Sequence, residues 1–180
     1  LSKEMQSELL ALARKSIGAA LKTGKTVGQP LNLRPEFNQP AAIFVTLTVD
    51  GDLRGCIGSL EPCATLADMV ASYACSAAFE DSRFSRVTEA ELKKINIEIS
   101  VLSPLERVKS ADAVKAGLHG VYVKSGRRSG TYLPQVWEHF KKKEDFLSSL
   151  CLEKAGLSAD AWKGKEIELY TYTVNPFTEK

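Results

Sequence analysis

The chain has 180 residues, 44% of them hydrophobic and 26% charged, with 24 Lys plus Arg against 22 Asp plus Glu for a net charge of +2. That length suits one ordinary domain with its own core, and the balance lies away from disordered, collagenous and coiled-coil compositions. A near-neutral charge is far from the basic excess of a dedicated nucleic-acid binder, and no stretch approaches the ~18 apolar residues of a membrane span. Neither a membrane protein nor a secretory leader is therefore expected, because residues 1–23 carry Lys3, Glu4, Glu8, Arg14 and Lys15 inside their apolar pattern. Cys56, Cys63, Cys75 and Cys151 form no Cys-x-x-Cys pair, and His119 and His139 lie far from all four. The expectation is reduced thiols in a cytoplasmic setting, with no structural metal, disulfide or cofactor.

In chain order, Leu9, Leu12, Ala13, Ile17, Ala20 and Leu21 recur at helical spacing, predicting a helix over 3–23 stopped by Gly24. Residues 25–40 hold Gly28, Pro30, Pro35 and Pro40 and predict an extended crossing loop. Residues 41–49 alternate as a strand, and Asp50-Gly51 marks a hairpin into 53–57. A two-residue loop in simple register would set Arg54 among aliphatics. The expected loop is therefore Val49-Asp50-Gly51, pairing Leu47 with Leu53 and Val45 with Gly55, with Arg54 and Cys56 on the polar face beside Thr46 and Thr48. Leu53 and Ile57 should then share the apolar side with Leu47.

A capped helix is expected over 65–79, a short one over 88–94, and a half-buried strand over 95–102 with Asn96, Glu98 and Ser100 on its polar face. Further on come a short helix at 110–116, a hairpin of 120–125 and 131–133 around a 126–130 loop, helices at 134–140 and 144–154, and a strand at 167–174. The basic runs at 126–128 and 141–143 read as a hairpin tip and a helix end. Strands joined partly through hairpins predict an α+β fold with a mainly antiparallel sheet flanked by helices, since a doubly wound fold alternates strand and helix regularly.

Leu53-Arg54-Gly55-Cys56-Ile57-Gly58 resembles the signature of the AMMECR domain family. Asp81-Ser82-Arg83-Phe84, Ile97-Glu98-Ile99-Ser100-Val101-Leu102, His119-Gly120-Val121, Tyr132-Leu133-Pro134-Gln135-Val136 and Lys154-Ala155-Gly156-Leu157 follow in that family's order. The resemblance implies one domain over 1–180 with a large antiparallel subdomain, a smaller subdomain packed on it and a cleft between them. It also implies association with a Memo-like protein and a radical SAM protein, as in prokaryotic AmmeMemoRadiSam systems.

Two functions fit these residues. In the first, a cysteine-dependent enzyme uses Cys56 as nucleophile or substrate anchor, His119 as base and Glu98 or Asp81 as orienter. Arg54 would hold an anionic group of a small or an RNA- or protein-linked substrate, with Gly55, Gly58, Asp81, Arg83, Ser100 and Gln135 as further binding candidates. In the second, the 53–58 groove of a non-catalytic module receives a peptide, RNA or partner protein, and Cys56 is a small packing residue, the ordinary role of a strand cysteine. Gly55-Cys56-Ile57-Gly58 has the form of a backbone-clamping loop but follows a strand, so a bulge or tight turn is the better reading. No phosphate-cradling Gly-x-x-x-x-Gly-Lys-Ser/Thr string occurs.

Overall fold

The helical spacing at the N-terminus becomes α1 (Lys3–Thr23) in the computed structural model, which describes residues 1–24 and 33–179. Ser2 caps α1 by accepting from the Met5 N–H, and Gly24 ends it. The crossing loop expected over 25–40 lies outside the described residues at 25–32, and Pro35–Asn38 forms one 3-10 turn. There follow β1 (Ala42–Val49), β2 (Asp52–Ser59), α2 (Leu66–Phe79), α3 (Glu89–Leu92), β3 (Ile95–Leu102), β4 (Glu106–Val108), β5 (Gly120–Ser125), β6 (Arg128–Tyr132), α4 (Lys143–Ser149), β7 (Glu168–Tyr172) and β8 (Val174–Thr178). The fold is α+β, with two four-stranded sheets ordered β2-β1-β3-β8 and β4-β7-β5-β6. The β1 pairings with β2 and β3, and the β7 pairings with β4 and β5, are antiparallel. Two compact units result, Leu1–Leu102 with Asn175–Lys180, and Ser103–Val174.

In the first unit, Ile43, Val45, Leu47, Ile97 and Ile99 are fully buried against Leu9, Leu12 and Ile17 of α1 and Met69, Val70 and Ala74 of α2. Each such side chain contributes roughly 1.5–3 kcal/mol relative to exposure. This burial fixes which strand faces are apolar, and period-two alternation leaves Thr46, Cys56, Glu98 and Ser100 on the other.

The hairpin differs from its expected register. Asp50 (φ 53°) and Gly51 (φ 91°) form a two-residue loop, with Val49 opposite Asp52 and Thr48 opposite Leu53. The register then shifts, so that Leu47 faces Gly55, Thr46 faces Cys56 and Val45 faces Ile57, leaving Arg54 as the extra residue of a bulge. Positive φ at both central positions gives a turn whose twist matches the strands, and Asp-Gly tolerates it. The bulge then keeps Arg54 out of the aliphatic row, as a longer loop would have done. Leu53 therefore lies on the Thr48 face, 43% exposed, and not on the apolar side, whereas Ile57 shares the apolar side with Val45 and Leu47 as expected.

The second unit buries Val121, Val123 and Leu169 of its sheet against Trp137, Phe146, Leu147 and Leu150. Trp137 and Phe146 stack at 3.6 Å between centroids. Its hairpin loop is only Gly126-Arg127, since Ser125 pairs with Arg128. The helices expected at 110–116 and 134–140 are 3-10 turns, Ala111–Ala113 and Pro134–His139, and α4 widens into a π-helical turn at Leu150–Lys154. The strand expected at 167–174 breaks at Thr173, where the Thr173 N–H donates to Ser103 Oγ and the Thr173 carbonyl accepts from the Ser103 N–H. The chain after the break joins the other sheet as β8.

Candidate functional site

Three strands set one transverse row on the polar face of the first sheet. Thr46 on β1 pairs with Cys56 on β2 and with Glu98 on β3. Directly opposite side chains stand close enough to interact, and Thr46 Oγ1 and Cys56 Sγ share a hydrogen bond of 3.3 Å. In the next row Phe44 stands between Gly58 and Ser100. Ser100 is 1% exposed, and its Oγ has no hydrogen-bond partner among the described residues.

β2 is an edge strand, and the turn after α2 covers that edge beside Cys56. Asp81 Oδ2 accepts the Cys56 N–H at 2.9 Å, and Arg83 Nη2 reaches the Cys56 carbonyl at 3.4 Å. Arg83 also grips Asp81 through Nε at 2.9 Å and Nη2 at 2.7 Å. The guanidinium, followed by the backbone donors, holds the nearly buried Asp81 carboxyl well below the usual carboxylate range, against the opposing effect of burial. Asp81 and Arg83 thus cap a strand edge that would otherwise present open backbone groups.

Arg54, released by the bulge, ion-pairs with Glu91 at 2.9 Å, lies within 3.5 Å of Ser85 Oγ, and its guanidinium carbon is 5.9 Å from the Phe84 ring centroid. Its Nη1 is buried without a partner among the described residues. The Glu91 carboxyl is brought down to about 2, first by Arg54 and then by the Thr88 N–H of the α3 capping box. Because Glu91 is partly exposed, Glu91→Gln is expected to lower stability by less than about 1 kcal/mol, measured by urea unfolding at neutral pH. A larger loss would show that Arg54 depends on this partner to stay folded against the bulge.

The Cys56 thiol is pushed up, first by burial and further by Asp81 and Glu98; the Thr46 hydrogen bond and the Arg83 charge oppose this and do not overcome it. His119 lies in the second unit, where its Nδ1 accepts the Lys115 N–H at 3.3 Å and its carbonyl accepts Trp137 Nε1–H at 2.7 Å. Burial, then the charge of Lys115, lowers the imidazole pKa. Gln135 is exposed on the 3-10 turn of the same unit. Cys56, Glu98, Arg54, Gly55, Gly58, Asp81, Arg83 and Ser100 all belong to the first unit.

Thr46 and Glu91 were not singled out from the sequence as site residues. The alternation of β1 carries Thr46, and the Thr88-x-x-Glu91 spacing of a capping box carries Glu91. Among the described residues no group of three or more His, Cys, Asp or Glu could hold a metal ion, all four cysteines are free thiols, and no helix is long and apolar enough to cross a membrane.

A two-sheet α+β protein with a capped edge strand and a thiol-hydroxyl-carboxylate row is the class these features define. The chain belongs to the AMMECR1 family, which it matches over residues 10–177 and hence across both units. It is 41% identical over 178 residues to a protein of Methanosarcina mazei, covering 94% of this chain and 88% of that one. A protein of Methanothermobacter thermautotrophicus is 37% identical over 190 residues, with 99% and 96% covered. The crystal structure of an uncharacterized protein, PH0010, from Pyrococcus horikoshii superposes with a TM-score of 0.93 at 33% identity, over 100% of this chain and 94% of that one.

Proposed function

We propose that this chain is a non-catalytic binding module, in which the half-buried Cys56-Thr46-Glu98 row receives a polypeptide segment of a partner protein. The observation that carries this reading is the state of Cys56. A nucleophilic cysteine works as a thiolate, whereas burial, with Asp81 and Glu98, pushes this thiol up against the opposing effects of Thr46 and Arg83 and so disfavours the thiolate. His119 points the same way. With Nδ1 accepting from Lys115, the neutral ring carries its proton on Nε2 and offers a donor, not the free lone pair a general base needs.

Recognition explains the remaining features better than chemistry does. Glu98 in the row favours the N–H donors of a polypeptide and repels the phosphates of an RNA. The Memo-like and radical SAM proteins suggested by the family association are the first partners to present, in the reducing, cytoplasmic setting that four free thiols suit.

The test is alkylation of Cys56 by iodoacetamide in a Cys63→Ser background, followed by peptide mass spectrometry. At neutral pH the expected rate is about a tenth or less of that of an unfolded thiol, rising only under alkaline conditions and unchanged by His119→Ala. Cys56→Ala should retain partner binding in calorimetry. Fast labelling at neutral pH that His119→Ala abolishes would restore the cysteine-dependent enzyme, with Cys56 as nucleophile, His119 as base, Glu98 or Asp81 as orienter and Arg54 as the anion anchor.

A further inference from the structure

We propose that the second unit carries a binding cleft for a nucleoside phosphate, at the sheet edge formed by β4 and the start of β7. The cleft has a volume of about 760 Å³, within the roughly 300–1,000 Å³ of small-ligand sites. Arg107, Lys109, Lys163 and Lys165 stand at its rim, and Asp112 is the one carboxylate among the described residues lining it. Its floor is apolar. Val108 and Leu169 are register partners across β4 and β7, and Trp162 and Ile167 pack on the same core.

Two of the four cations already have partners. Lys163 lies 2.8 Å from Asp160, and Arg107 lies 3.9 Å from Glu168. Lys109 and Lys165 have no ion-pair or hydrogen-bond partner among the described residues, and each is exposed. Like charges gathered over an apolar floor concentrate positive potential and draw a multivalent anion. A guanidinium beside two flexible ammonium groups suits phosphate oxygens. Inorganic phosphate alone would leave the floor unused, whereas a planar base would cover it. Trp162 supplies an aromatic ring there, its Nε1–H donating to Ser148 Oγ at 3.0 Å, and the exposed Lys163 ammonium that lies 5.2 Å from the ring centroid would swing from the ring to the phosphates as a base takes its place. The ligand class is therefore a base joined to two or more phosphate charges, held by side chains and without a glycine-rich phosphate loop. None of this depends on the polar face of the first sheet, so either reading can fail alone.

The experiment is calorimetric titration of the full chain with ADP, adenosine, inorganic pyrophosphate and a short single-stranded RNA, at low and at moderate ionic strength. ADP should bind saturably at one site and weaken as salt rises. Adenosine and pyrophosphate should each bind at least about tenfold more weakly, since each offers half of the recognition. Lys109→Glu with Lys165→Glu should weaken ADP by about tenfold or more while leaving the thermal midpoint unchanged, both side chains being exposed. Absence of saturable ADP binding, equal affinity in the double variant, or pyrophosphate binding as tightly as ADP would each overturn the proposal. RNA binding about tenfold tighter than ADP would replace a nucleotide cleft with a strand-binding one.

Discussion

Gly55→Ala is expected to destabilise the protein by about 3 kcal/mol, the upper end of ordinary overpacking. A Cβ at Gly55 would stand 2.1 Å from the Ala77 carbonyl oxygen and 3.1 Å from its carbon. Both are backbone atoms near the C-terminal end of α2, so no side-chain rotation relieves the clash. β2 and α2 would have to separate, opening the core formed by Val45, Leu47, Ala74 and Ala77. For a chain of this size the loss corresponds to a fall in thermal midpoint of roughly 10 °C. Gly18→Ala is the control with opposite sign. A Cβ there meets Leu92 at an ordinary 3.7 Å inside α1, and the gain in helix propensity should raise stability by about 0.5–1 kcal/mol. Equal tolerance of the two substitutions in thermal melts would show that the glycine at 55 serves something other than the approach of α2.

Asp81→Ala should cost about 2 kcal/mol, chiefly because the Cys56 N–H loses its acceptor in a partly buried place. The stranded Arg83 adds less, since its side chain is 53% exposed and water can solvate it. Asp81→Asn keeps an oxygen that can accept the Cys56 N–H and loses the charge, so it should fall between the two. The pH dependence has a definite sign. A carboxyl depressed in the folded state contributes stability that is fully present above its unfolded value of about 3.9 and is lost as pH falls toward the folded one. Wild type should therefore lose stability below about pH 4 more steeply than Asp81→Ala, in urea unfolding across that range. Parallel curves would mean that Asp81 is not the ionised cap of the strand edge.

The helices and the polar row could be read in the sequence for local reasons. Apolar spacing of 3.6 with Gly24 as a stop defined α1, the same spacing with a cap at Thr65 defined α2, and strict alternation from Ile95 to Val101 put Glu98 and Ser100 on one face of β3. Such signals act within a few residues of each other, and packing did not override them. Short elements of the second unit were less legible. The short helices at 111–113 and 134–139 have too few residues for periodicity to separate 3-10 from α.

Pairing across the chain was decided by the tertiary structure. The bulge at Arg54 and the two-residue turn give the same face to Cys56 as the longer loop would, so alternation alone could not distinguish them, and only the strand partners fix Leu53 outside the core. The break at Thr173 depends on Ser103, seventy residues away. Most of the electrostatics is of this kind too. Asp81 meets the Cys56 N–H, Glu91 meets Arg54, and Arg107 with Lys109 stands beside Lys163 with Lys165 because β4 pairs with β7. The sequence by itself determined which residues could form helices, which strand faces are polar and that the chain resembles one family, because those follow from local spacing and residue type. Which charges neutralise one another, and in which direction the Cys56 thiol is shifted, was decided by folding alone, since burial and Coulomb interactions depend on distance in space and not on separation along the chain.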